Sequence, residues 1–480
     1  MLPAPSFEIR QCCITSSPVF PGVFGTLCFD PTYKMRMTTP TTTGHVGHLA
    51  IEREIEVVEL DAGEATTRLI SGGDGTVGVP CSTLNKILSQ MAIIVPCKNE
   101  PTETIRGVLM GIPHPCTVIL VSNSRRNCCE DRYANEVAML RDFCRYGRKA
   151  LAIHQKDAIA AASISEAGMP ELLDSAGTIR NGKGEGMILG LAVVAALCQD
   201  IQYVGFVDAD SKIPGSPHEY CRIYASGFAV SGHPSPSEHE HIMVRVHWSA
   251  KPKVRDGRID FSVAEGRSSL VVNKWLNRFL NLVWEDGHSV PVTTANAGEH
   301  AMTMSLALKL RMAGGYAIEP FHYVDLLERQ LHLISTPGTS PAASIAGSER
   351  VQSDSASIMS SHSSTSSHLS SLDGIPVRIM QVRSANPHFH NETEDDHITA
   401  MWKTGLSTIY HHLLAGISED DDRLVGLKAD MERFVAASGN LGCGEMYLEP
   451  PMVYPPLETL GFSVLAEGLV RSGSLQQIGA

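Results

Sequence analysis

The sequence lacks any apolar run long enough to cross a membrane. Its longest uninterrupted apolar stretch covers residues 187–198, whereas a transmembrane helix needs about 20 such residues. The amino terminus also lacks the basic start and the apolar segment that mark a secretory signal. Both absences argue against a membrane protein or an exported one, and we therefore expect a cytoplasmic location.

Positive charge and paired cysteine motifs are scarce as well. The chain has 39 Lys and Arg against 52 Asp and Glu, which gives a formal net charge of -13. A general nucleic-acid or anionic-membrane binder would present basic surface, so we expect neither partner. An anionic substrate stays open, because a binding site needs only a few basic side chains. None of the twelve cysteines has Cys-x-x-Cys spacing, which favours reduced, buried thiols over a zinc site or a disulfide framework.

The sequence does contain a regular alternation of short apolar runs and amphipathic stretches from residue 91 onward. The apolar runs predict strands at residues 91–96, 116–122, 150–154 and 203–207. The amphipathic or glycine-opened stretches predict helices at residues 102–110, 130–146 and 183–199. Such alternation builds parallel βαβ units with helices on both faces of the sheet, so the sequence predicts an α/β fold. Ligands of such sheets bind beyond the carboxyl ends of the strands.

Two regions precede the last third of the chain. Residues 1–88 are weakly patterned, with one strand predicted at 51–60. Residues 89–333 carry the alternation and are predicted to form the main, catalytic domain.

The last third contains a predicted insertion and a predicted closing segment. Residues 334–373 form the insertion, and 15 of the 38 residues from 335 to 372 are serine, a composition that predicts disorder. Residues 374–480 are predicted to be mostly helical and to close the site. We expect them to begin with an edge strand at residues 375–382 and to continue with helices within residues 395–414 and 421–437.

Two aspartates follow the strand predicted at 203–207. Asp208 and Asp210 stand one residue apart at the carboxyl end of that strand, on the edge where ligands are expected. Paired carboxylates suit a hard divalent cation, which prefers oxygen ligands and keeps positions open for substrate phosphate. The alternative is a pair of solvated loop aspartates that cap the helix after Pro214.

A glycine-rich turn opens the helix predicted at 183–199. Residues 180–186 have the sequence RNGKGEG, in which the glycines allow close approach of the backbone to a ligand. The helix amino terminus and Lys183 both favour an anion. The turn resembles a phosphate-binding loop, although it differs from the loop of NTPases. A flexible turn with a solvated lysine is the alternative.

Polar groups also follow three other predicted strands. The strings VPCKNE at 95–100 and VSNS at 121–124 carry groups that can hydrogen-bond a nucleobase and a ribose, with ordinary strand-to-helix loops as the alternative. In NPHFH at 386–390, His388 and His390 lie two residues apart, so both point the same way on an extended segment. One can bind a metal and the other support it, unless the pair is inert.

Taken in chain order, these stretches resemble the mannosyl-3-phosphoglycerate synthases. The matching strings are VPCKNE (95–100), HQKD (154–157), RNGKGEGMILGL (180–191), YVGFVDADSKIPG (203–215), KPK (251–253), NAGEHAMT (296–303), EP (319–320) and NPHFH (386–390). The resemblance implies a GT-A type, Rossmann-like nucleotide-sugar-binding sheet. It also implies transfer of mannose from GDP-mannose to 3-phosphoglycerate with retention of configuration, a divalent cation (Mg²⁺ or Mn²⁺) and a homodimer.

The resemblance further implies roles for individual residues. Asp210 and Lys183 are the expected catalytic residues. The expected donor-binding residues are Pro96, Asn99, Glu100, Ser122, Asn123, Lys183 and Asp208. The expected acceptor-binding residues are Thr294, Asn296, Ala297 and Gly298. The expected metal ligands are Asp208, Asp210 and one of His388 and His390. Because the acceptor is anionic, basic residues are also needed beside it. Lys156 and Arg180 are therefore expected to bind the acceptor as well, and Lys251, Lys253 and Arg267 are further candidates.

Two departures from the family pattern and three rival functions stay open. Ser211 stands where asparagine is expected, and Ala295 where glycine is expected. The first rival is a glucosyl-3-phosphoglycerate synthase with a different sugar donor. The second is a haloacid-dehalogenase-like phosphatase, which would need Thr or Val where Lys212 stands. The third is a non-catalytic protein that binds a nucleotide sugar.

Overall fold

The computed structural model covers most of the predicted main domain and much of the C-terminal segment. It describes residues 34–62, 70–71, 75–126, 130–145, 147–232, 241–255, 258–261, 266–284, 289–335, 374–390, 395–415, 421–439, 447–471 and 476–478. The predicted serine-rich insertion lies outside the described residues from position 336 onward, as do residues 1–33.

The described strands form one large mixed sheet and two small ones. In chain order they are β1 (Lys34–Thr38), β2 (Thr43–Val46), β3 (Leu49–Glu52), β4 (Ile55–Ala62), β5 (Ile70–Ser71), β6 (Thr76–Pro80), β7 (Met91–Cys97), β8 (Thr117–Ser122), β9 (Ala150–His154), β10 (Tyr203–Phe206), β11 (His241–His247), β12 (Lys253–Arg255), β13 (Arg258–Asp260), β14 (His300–Thr303), β15 (Met312–Ala313), β16 (Val377–Arg383), β17 (Val453–Tyr454) and β18 (Gln476–Ile478). The 14-stranded sheet has the order β18-β9-β8-β7-β10-β14-β11-β16-β4-β1-β6-β5, with β3 also paired to β16 and β2 to β3. The small sheets pair β12 with β13 and β15 with β17.

The described helices lie between these strands and at the C-terminal end. They are α1 (Cys81–Leu88), α2 (Thr102–Gly111), α3 (Arg132–Cys144), α4 (Ala158–Glu166), α5 (Lys183–Leu197), α6 (Gly215–Val230), α7 (Arg267–Val283), α8 (Met304–Lys309), α9 (Ile318–Ser335), α10 (Asp395–Ile409), α11 (Asp422–Gly439) and α12 (Phe462–Arg471). A π-helical turn over Tyr410–Leu414 continues α10, and short 3₁₀ turns occur at Pro170–Leu172, Gly315–Ala317 and Leu457–Thr459.

The four strands predicted from residues 91 to 207 are confirmed to within one residue at each end. They lie side by side in the order β9-β8-β7-β10 and are all parallel. Along β7, Ile93 and Ile94 belong to the cores on opposite faces of the sheet. Burial on both faces explains why these strands are continuous apolar runs rather than alternating ones. Because the strands are parallel, their carboxyl ends meet at one edge of the sheet.

Helices cover both faces of this sheet, as predicted. Helices α1, α2, α3 and α6 pack on the face that carries Ile93, whereas α5, α7, α9 and α10 pack on the face that carries Ile94. Helix α5 comes especially close to the strands, because a Cβ atom at Gly190 would lie only 2.7 Å from Ile94 Cγ2. This close approach holds the amino end of α5, and with it Lys183, at the carboxyl edge of the sheet.

The expectation of an edge strand at residues 375–382 is wrong. Strand β16 lies inside the sheet, parallel to β11 on one side and to β3 and β4 on the other. Its partners are remote in sequence, so local pattern could not reveal them. The single strand expected at 51–60 is also corrected, since β3 ends at Glu52 and β4 begins at Ile55. The central sheet is not wholly parallel either, because β14 runs antiparallel to both β10 and β11.

The C-terminal segment combines helices with strands of the main sheet. Helices α10 and α11 form where the sequence predicts them, while α12 packs against α4 and α5. Strand β18 adds antiparallel to β9. Among the described helices, none has both the length and the apolar character that a bilayer span requires. The described cysteines are free thiols, and four of them, Cys97, Cys116, Cys144 and Cys221, are buried.

Candidate active site

A cavity of about 510 Å³ opens at the carboxyl ends of β7, β8 and β10. One side, the strand-end wall, includes lining residues from positions 96–100, 121–123, 181–186 and 208–210. A second part, the loop wall, includes lining residues from positions 248–251, 266–268, 296–298 and 388–390. Tyr316, Glu319 and the start of α10 complete the boundary. The cavity therefore lies on the edge of the sheet where the sequence predicts a ligand.

The cavity brings together most of the residues that the sequence singles out. The predicted site residues that line it are Pro96, Glu100, Asn123, Lys183, Asp208, Asp210, Asn296, Gly298, His388 and His390. Their segments are far apart in sequence, yet the carboxylate pair, the lysine and the histidine pair share one space.

Six predicted site residues do not line the cavity: Asn99, Ser122, Lys156, Arg180, Thr294 and Ala297. The two basic ones bind neighbouring backbone and side chains instead. Lys156 Nζ donates to Asp174 Oδ2 at 3.0 Å, to Thr178 Oγ1 at 3.2 Å and to the carbonyl of Ile179. Arg180 Nε donates to the carbonyl of Glu171 at 3.1 Å. Both side chains thus fix the turn that leads into α5.

Two polar residues among these six, Asn99 and Ser122, support the strand-end wall without lining the cavity. Asn99 has a left-handed φ of 61°, its backbone N–H donates to Ser124 Oγ at 2.8 Å, and its Oδ1 accepts from Arg125 N at 2.9 Å. The fully buried Ser122 Oγ accepts from the N–H of Ser124 at 3.2 Å. These bonds tie together the loops that follow β7 and β8.

Lys183 lies between two carboxylates. Its Nζ atom is 2.7 Å from Asp208 Oδ1 and 2.8 Å from Glu319 Oε1. Burial alone would lower the pKa of Lys183, but Asp208 and Glu319 raise it well above its usual value. The side chain is therefore an ammonium ion. Glu319 belongs to the first turn of α9, where the helix dipole favours a carboxylate.

Other carboxyl groups close to Asp208 have raised pKa values. Burial, and next the charge of Asp208, raise the pKa of Asp210 to about 6 and that of Glu299 to about 8. The same two causes raise the pKa of Glu100. The Oδ1 atom of Asp210 is buried and accepts no hydrogen bond from the described residues. The acidic side chains around Asp208 thus outnumber the positive charges near them, and an added cation would stabilise their ionised forms.

The residues present fit a divalent cation that is bound partly by its substrate. Asp208 and Asp210 offer oxygen ligands, and Asp210 Oδ1 has unused lone pairs. His388 and His390 line the same cavity with their ring centroids 5.2 Å apart. No group of three or more His, Cys, Asp or Glu side chains in the described ranges is arranged to hold an ion. Mg²⁺ is usually bound by one or two carboxylates, and substrate phosphates complete its coordination.

Helix α6 and Trp248 fix the segment that carries the histidines. Glu219 accepts from the backbone N–H groups of Ala385 at 2.6 Å and Asn386 at 2.8 Å. His388 is 3% exposed and stacks on the indole of Trp248, with ring centroids 4.4 Å apart. The position of His388 is therefore set by buried contacts.

A fully buried arginine holds the loop before β14. Arg245 Nε donates to the carbonyl of Thr294 at 2.9 Å, and Nη2 contacts the carbonyls of Ala295 and Ala297 at 3.3 Å each. Nη2 also donates to the carbonyl of Glu319 at 3.1 Å. Arg245 thus joins the acceptor loop predicted from the sequence to the residue that contacts Lys183.

The same loop touches the strand-end wall at Gly298. A Cβ atom there would lie 2.6 Å from Asp208 Oδ2 and 3.0 Å from Lys183 Nζ, so only glycine allows this approach. Two residues earlier, Asn296 Nδ2 donates to Ser268 Oγ at 3.3 Å. Its Oδ1 is buried and accepts no bond from the described residues, so it is available to a ligand hydroxyl. Behind Asn296, Thr294 Oγ1 lies 2.8 Å from Tyr323 Oη.

Several cavity residues were not predicted as functional. Glu319 and Trp248 line the cavity, and Lys251, which was only one of several basic candidates, lies with its Nζ 4.5 Å from the Trp248 ring centroid. The strings EP at 319–320 and KPK at 251–253 contained a signal for two of these three residues. Glu319 opens a helix rather than following a strand, so strand-end reasoning did not reach it.

Comparison with known proteins supports the family resemblance that the sequence motifs show. The family model of mannosyl-3-phosphoglycerate synthases matches residues 39–469. The mannosyl-3-phosphoglycerate synthase of Pyrococcus furiosus is 36% identical over 338 residues, which cover 70% of this chain and 75% of that protein. The one of Aeropyrum pernix is 33% identical over 324 residues, which cover 67% and 73%. The family match includes both walls of the cavity.

A solved structure is also similar. It is glucosyl-3-phosphoglycerate synthase from Mycobacterium tuberculosis in complex with Mn²⁺, UDP-glucose and phosphoglyceric acid. It is 17% identical, with a TM-score of 0.42, and the match covers 77% of this chain and 90% of that one.

Proposed function

The chain belongs to the mannosyl-3-phosphoglycerate synthase family, and from that premise we propose that it transfers mannose from GDP-mannose to 3-phosphoglycerate. One observation carries the proposal beyond family membership. A single cavity holds the Asp208 and Asp210 carboxylates, the Lys183 ammonium and the loop that carries Asn296 and Gly298. A nucleotide diphosphate and an anionic acceptor both need such partners.

The donor occupies the strand-end wall in this proposal. Pro96 and Glu100 contact the guanosine. Asn123, whose Nδ2 donates to Asn181 Oδ1 at 2.6 Å, lies at the ribose. Lys183 faces the diphosphate from the amino end of α5, where helix dipole and ammonium both favour an anion.

Departure of GDP leaves negative charge on the diphosphate. A divalent cation, Mg²⁺ or Mn²⁺, supplies Lewis-acid stabilisation of that charge when it is bound. Asp208 and Asp210 would hold the cation, and His388 or His390 would become a further ligand only if cation binding drew one of the two rings closer to the aspartates. The Lys183 ammonium provides a second, fixed positive charge in a partly buried setting, where such a charge is worth more than in water.

The acceptor occupies the loop wall. Asn296 Oδ1 accepts from the acceptor hydroxyl, and Lys251 balances its anionic groups. Thr294, Lys156 and Arg180 support the walls through the contacts described above, rather than touching the acceptor.

Attack on the same face as the departing diphosphate explains retention without a covalent intermediate. Besides the expected cation ligands, two buried acidic side chains lie near the reacting groups. Glu319 Oε1 is paired with Lys183 Nζ at 2.8 Å, and Glu299, which does not line the cavity, accepts from Trp248 Nε1 at 2.9 Å through its Oε2. Neither is presented as a free nucleophile. We therefore favour a dissociative, front-face substitution.

The test is direct product detection. The protein is incubated with 3-phosphoglycerate, Mg²⁺ and either GDP-mannose or UDP-glucose, and the product is identified by mass. The expected result is mannosyl-3-phosphoglycerate from GDP-mannose and little product from UDP-glucose. Preferred use of UDP-glucose would assign the chain to the glucose-donor reaction, and nucleotide-sugar binding without turnover would show a non-catalytic sensor.

We further propose a cytoplasmic homodimer. Free buried thiols suit a reducing compartment, and the dimer follows from the family resemblance. Light scattering coupled to gel filtration should give twice the mass of the 480-residue chain. A monomeric mass at micromolar concentration would contradict the dimer without touching the activity.

A further inference from the structure

Lys183 and a cation at Asp208 compete for one carboxylate. Lys183 Nζ lies 2.7 Å from Asp208 Oδ1 and 2.9 Å from Asp208 Oδ2, so the ammonium contacts both oxygens. A divalent cation also needs an oxygen of Asp208, and it repels an ammonium on the same carboxylate. Cation binding would therefore weaken the contact between Lys183 and Asp208.

An ammonium that leaves Asp208 needs another negative partner. The Lys183 side chain is only 20% exposed, and an unpaired charge at such a position is costly. Glu319 Oε1 already lies 2.8 Å from Nζ, and the Glu319 side chain is 6% exposed. Glu319 therefore supplies a counter-charge both with and without the cation.

Glu319 is itself fixed in place. It lies in the first turn of α9, and its carbonyl accepts from Nη2 of the fully buried Arg245 at 3.1 Å. Because its backbone is held in this way, Glu319 can keep its ion pair with Lys183 when the lysine side chain moves.

We propose that Glu319 is a positioning residue, which holds the Lys183 ammonium at the diphosphate subsite and so frees Asp208 for the divalent cation. The inference rests on the proposed function in one respect, the cation site at Asp208 and Asp210. With a neutral residue at position 319, Asp208 would be the one carboxylate of this trio left for Lys183. The ammonium would then compete more strongly with the cation.

The first test measures Mn²⁺ binding without nucleotide sugar or acceptor, by the electron paramagnetic resonance signal of free Mn²⁺. Glu319→Gln should raise the Mn²⁺ dissociation constant about tenfold, the size typical of coupling between contacting residues. The matched control is Glu328→Gln on the same helix. Glu328 pairs with Arg311 and His412 and does not line the cavity, so its substitution should leave Mn²⁺ binding unchanged.

The second test asks whether the effect passes through Lys183. Lys183→Met removes the competing ammonium and should tighten Mn²⁺ binding, although it damages turnover. In that background, Glu319→Gln should have no further effect on the dissociation constant. If Glu319→Gln weakens Mn²⁺ binding equally in both backgrounds, Glu319 acts by simple attraction or by general structural damage, and the proposal is overturned.

Two further variants keep the outcome decisive. Glu319→Asp retains the charge on a shorter side chain, so it should give a smaller loss that also vanishes with Lys183→Met, even if Glu319→Gln does not fold. Asp210→Ala separates the two hypotheses. If wild type binds no Mn²⁺, or Asp210→Ala binds it equally well, the cation site fails and the inference fails with it. If Mn²⁺ binding depends on Asp210 but Glu319→Gln has the same Mn²⁺ dissociation constant as the control Glu328→Gln, the cation site stands and only the inference about Glu319 fails.

Discussion

The strand-end wall and the loop wall face one cavity but are built in different ways. Lining residues of the strand-end wall lie at or just after the carboxyl ends of β7, β8 and β10, or around the start of α5, so each is placed by the element next to it in sequence. Lining residues of the loop wall lie on connections that remote buried groups hold. Arg245 donates to the carbonyls of Thr294, Ala295 and Ala297, and Glu219 accepts from the backbone N–H groups of Ala385 and Asn386.

This contrast predicts which substitutions impair each wall. The backbone of a strand-end residue keeps its place as long as the central sheet forms, so we expect loss of function there to follow from substitution of the lining residue or of a side chain in direct contact with it. A loop-wall residue can be displaced by a substitution at a buried position that never touches the substrate.

The largest expected effect is on the strand-end wall. Asp210→Ala should lower kcat about a thousandfold, because cation stabilisation of a leaving group is worth several kcal/mol and about 4 kcal/mol corresponds to three decades. Steady-state kinetics with GDP-mannose measure it. The control is Asp200→Ala, in the turn before β10, which replaces an exposed aspartate and should be neutral. A folded Asp210→Ala variant that retains a tenth of wild-type kcat would contradict the assignment.

The second effect tests the point where the walls meet. Gly298→Ala should lower kcat/KM about a hundredfold, the size expected when reacting groups shift by about 1 Å. The added methyl would lie 2.6 Å from Asp208 Oδ2, so the loop or the aspartate must move. Gly426→Ala is the control, since a Cβ atom there meets nothing within 4 Å. Wild-type kinetics for Gly298→Ala would show that the walls do not need this close approach.

The third prediction concerns a buried residue that holds the loop wall without lining the cavity. Arg245→Lys keeps the charge but cannot reach all four carbonyls, and we expect kcat/KM for 3-phosphoglycerate to fall about tenfold, or about 1.4 kcal/mol. Arg311→Lys, at a salt bridge with Asp325 away from the cavity lining, is the matched control. Equal kinetics for the two variants would remove the proposed contrast between the walls.

The smallest effect concerns a residue that the sequence assigned to the acceptor. Lys156→Ala should leave KM for 3-phosphoglycerate within about twofold, because its ammonium binds Asp174, Thr178 and Ile179 rather than lining the cavity, and surface ion pairs contribute little. Thermal unfolding should show a modest loss of stability. A tenfold rise in KM would place Lys156 at the acceptor after all.

The same contrast decides what could be predicted from sequence. Asp208, Asp210 and Lys183 were found because each adjoins a strand or helix whose apolar pattern is plain, so the fold places them by local rules. Lys156 does not line the cavity, and the sequence could not show this, because a basic residue near a site has no local mark that distinguishes a ligand from a support. Arg245 and Glu219 were missed because their carbonyl and backbone partners lie far away in sequence.

Strand β16 has a consequence for the order in which the chain can fold. It lies between β11 on one side and β3 and β4 on the other, so a nascent chain that ends before residue 377 leaves an open edge on three inner strands. Open edges of this kind invite pairing with other chains, and contacts between such remote segments form slowly. Until residues 377–383 have left the ribosome, we therefore expect β11, β3 and β4 to be prone to pairing with other chains, and a truncation upstream of β16 should leave these edges exposed.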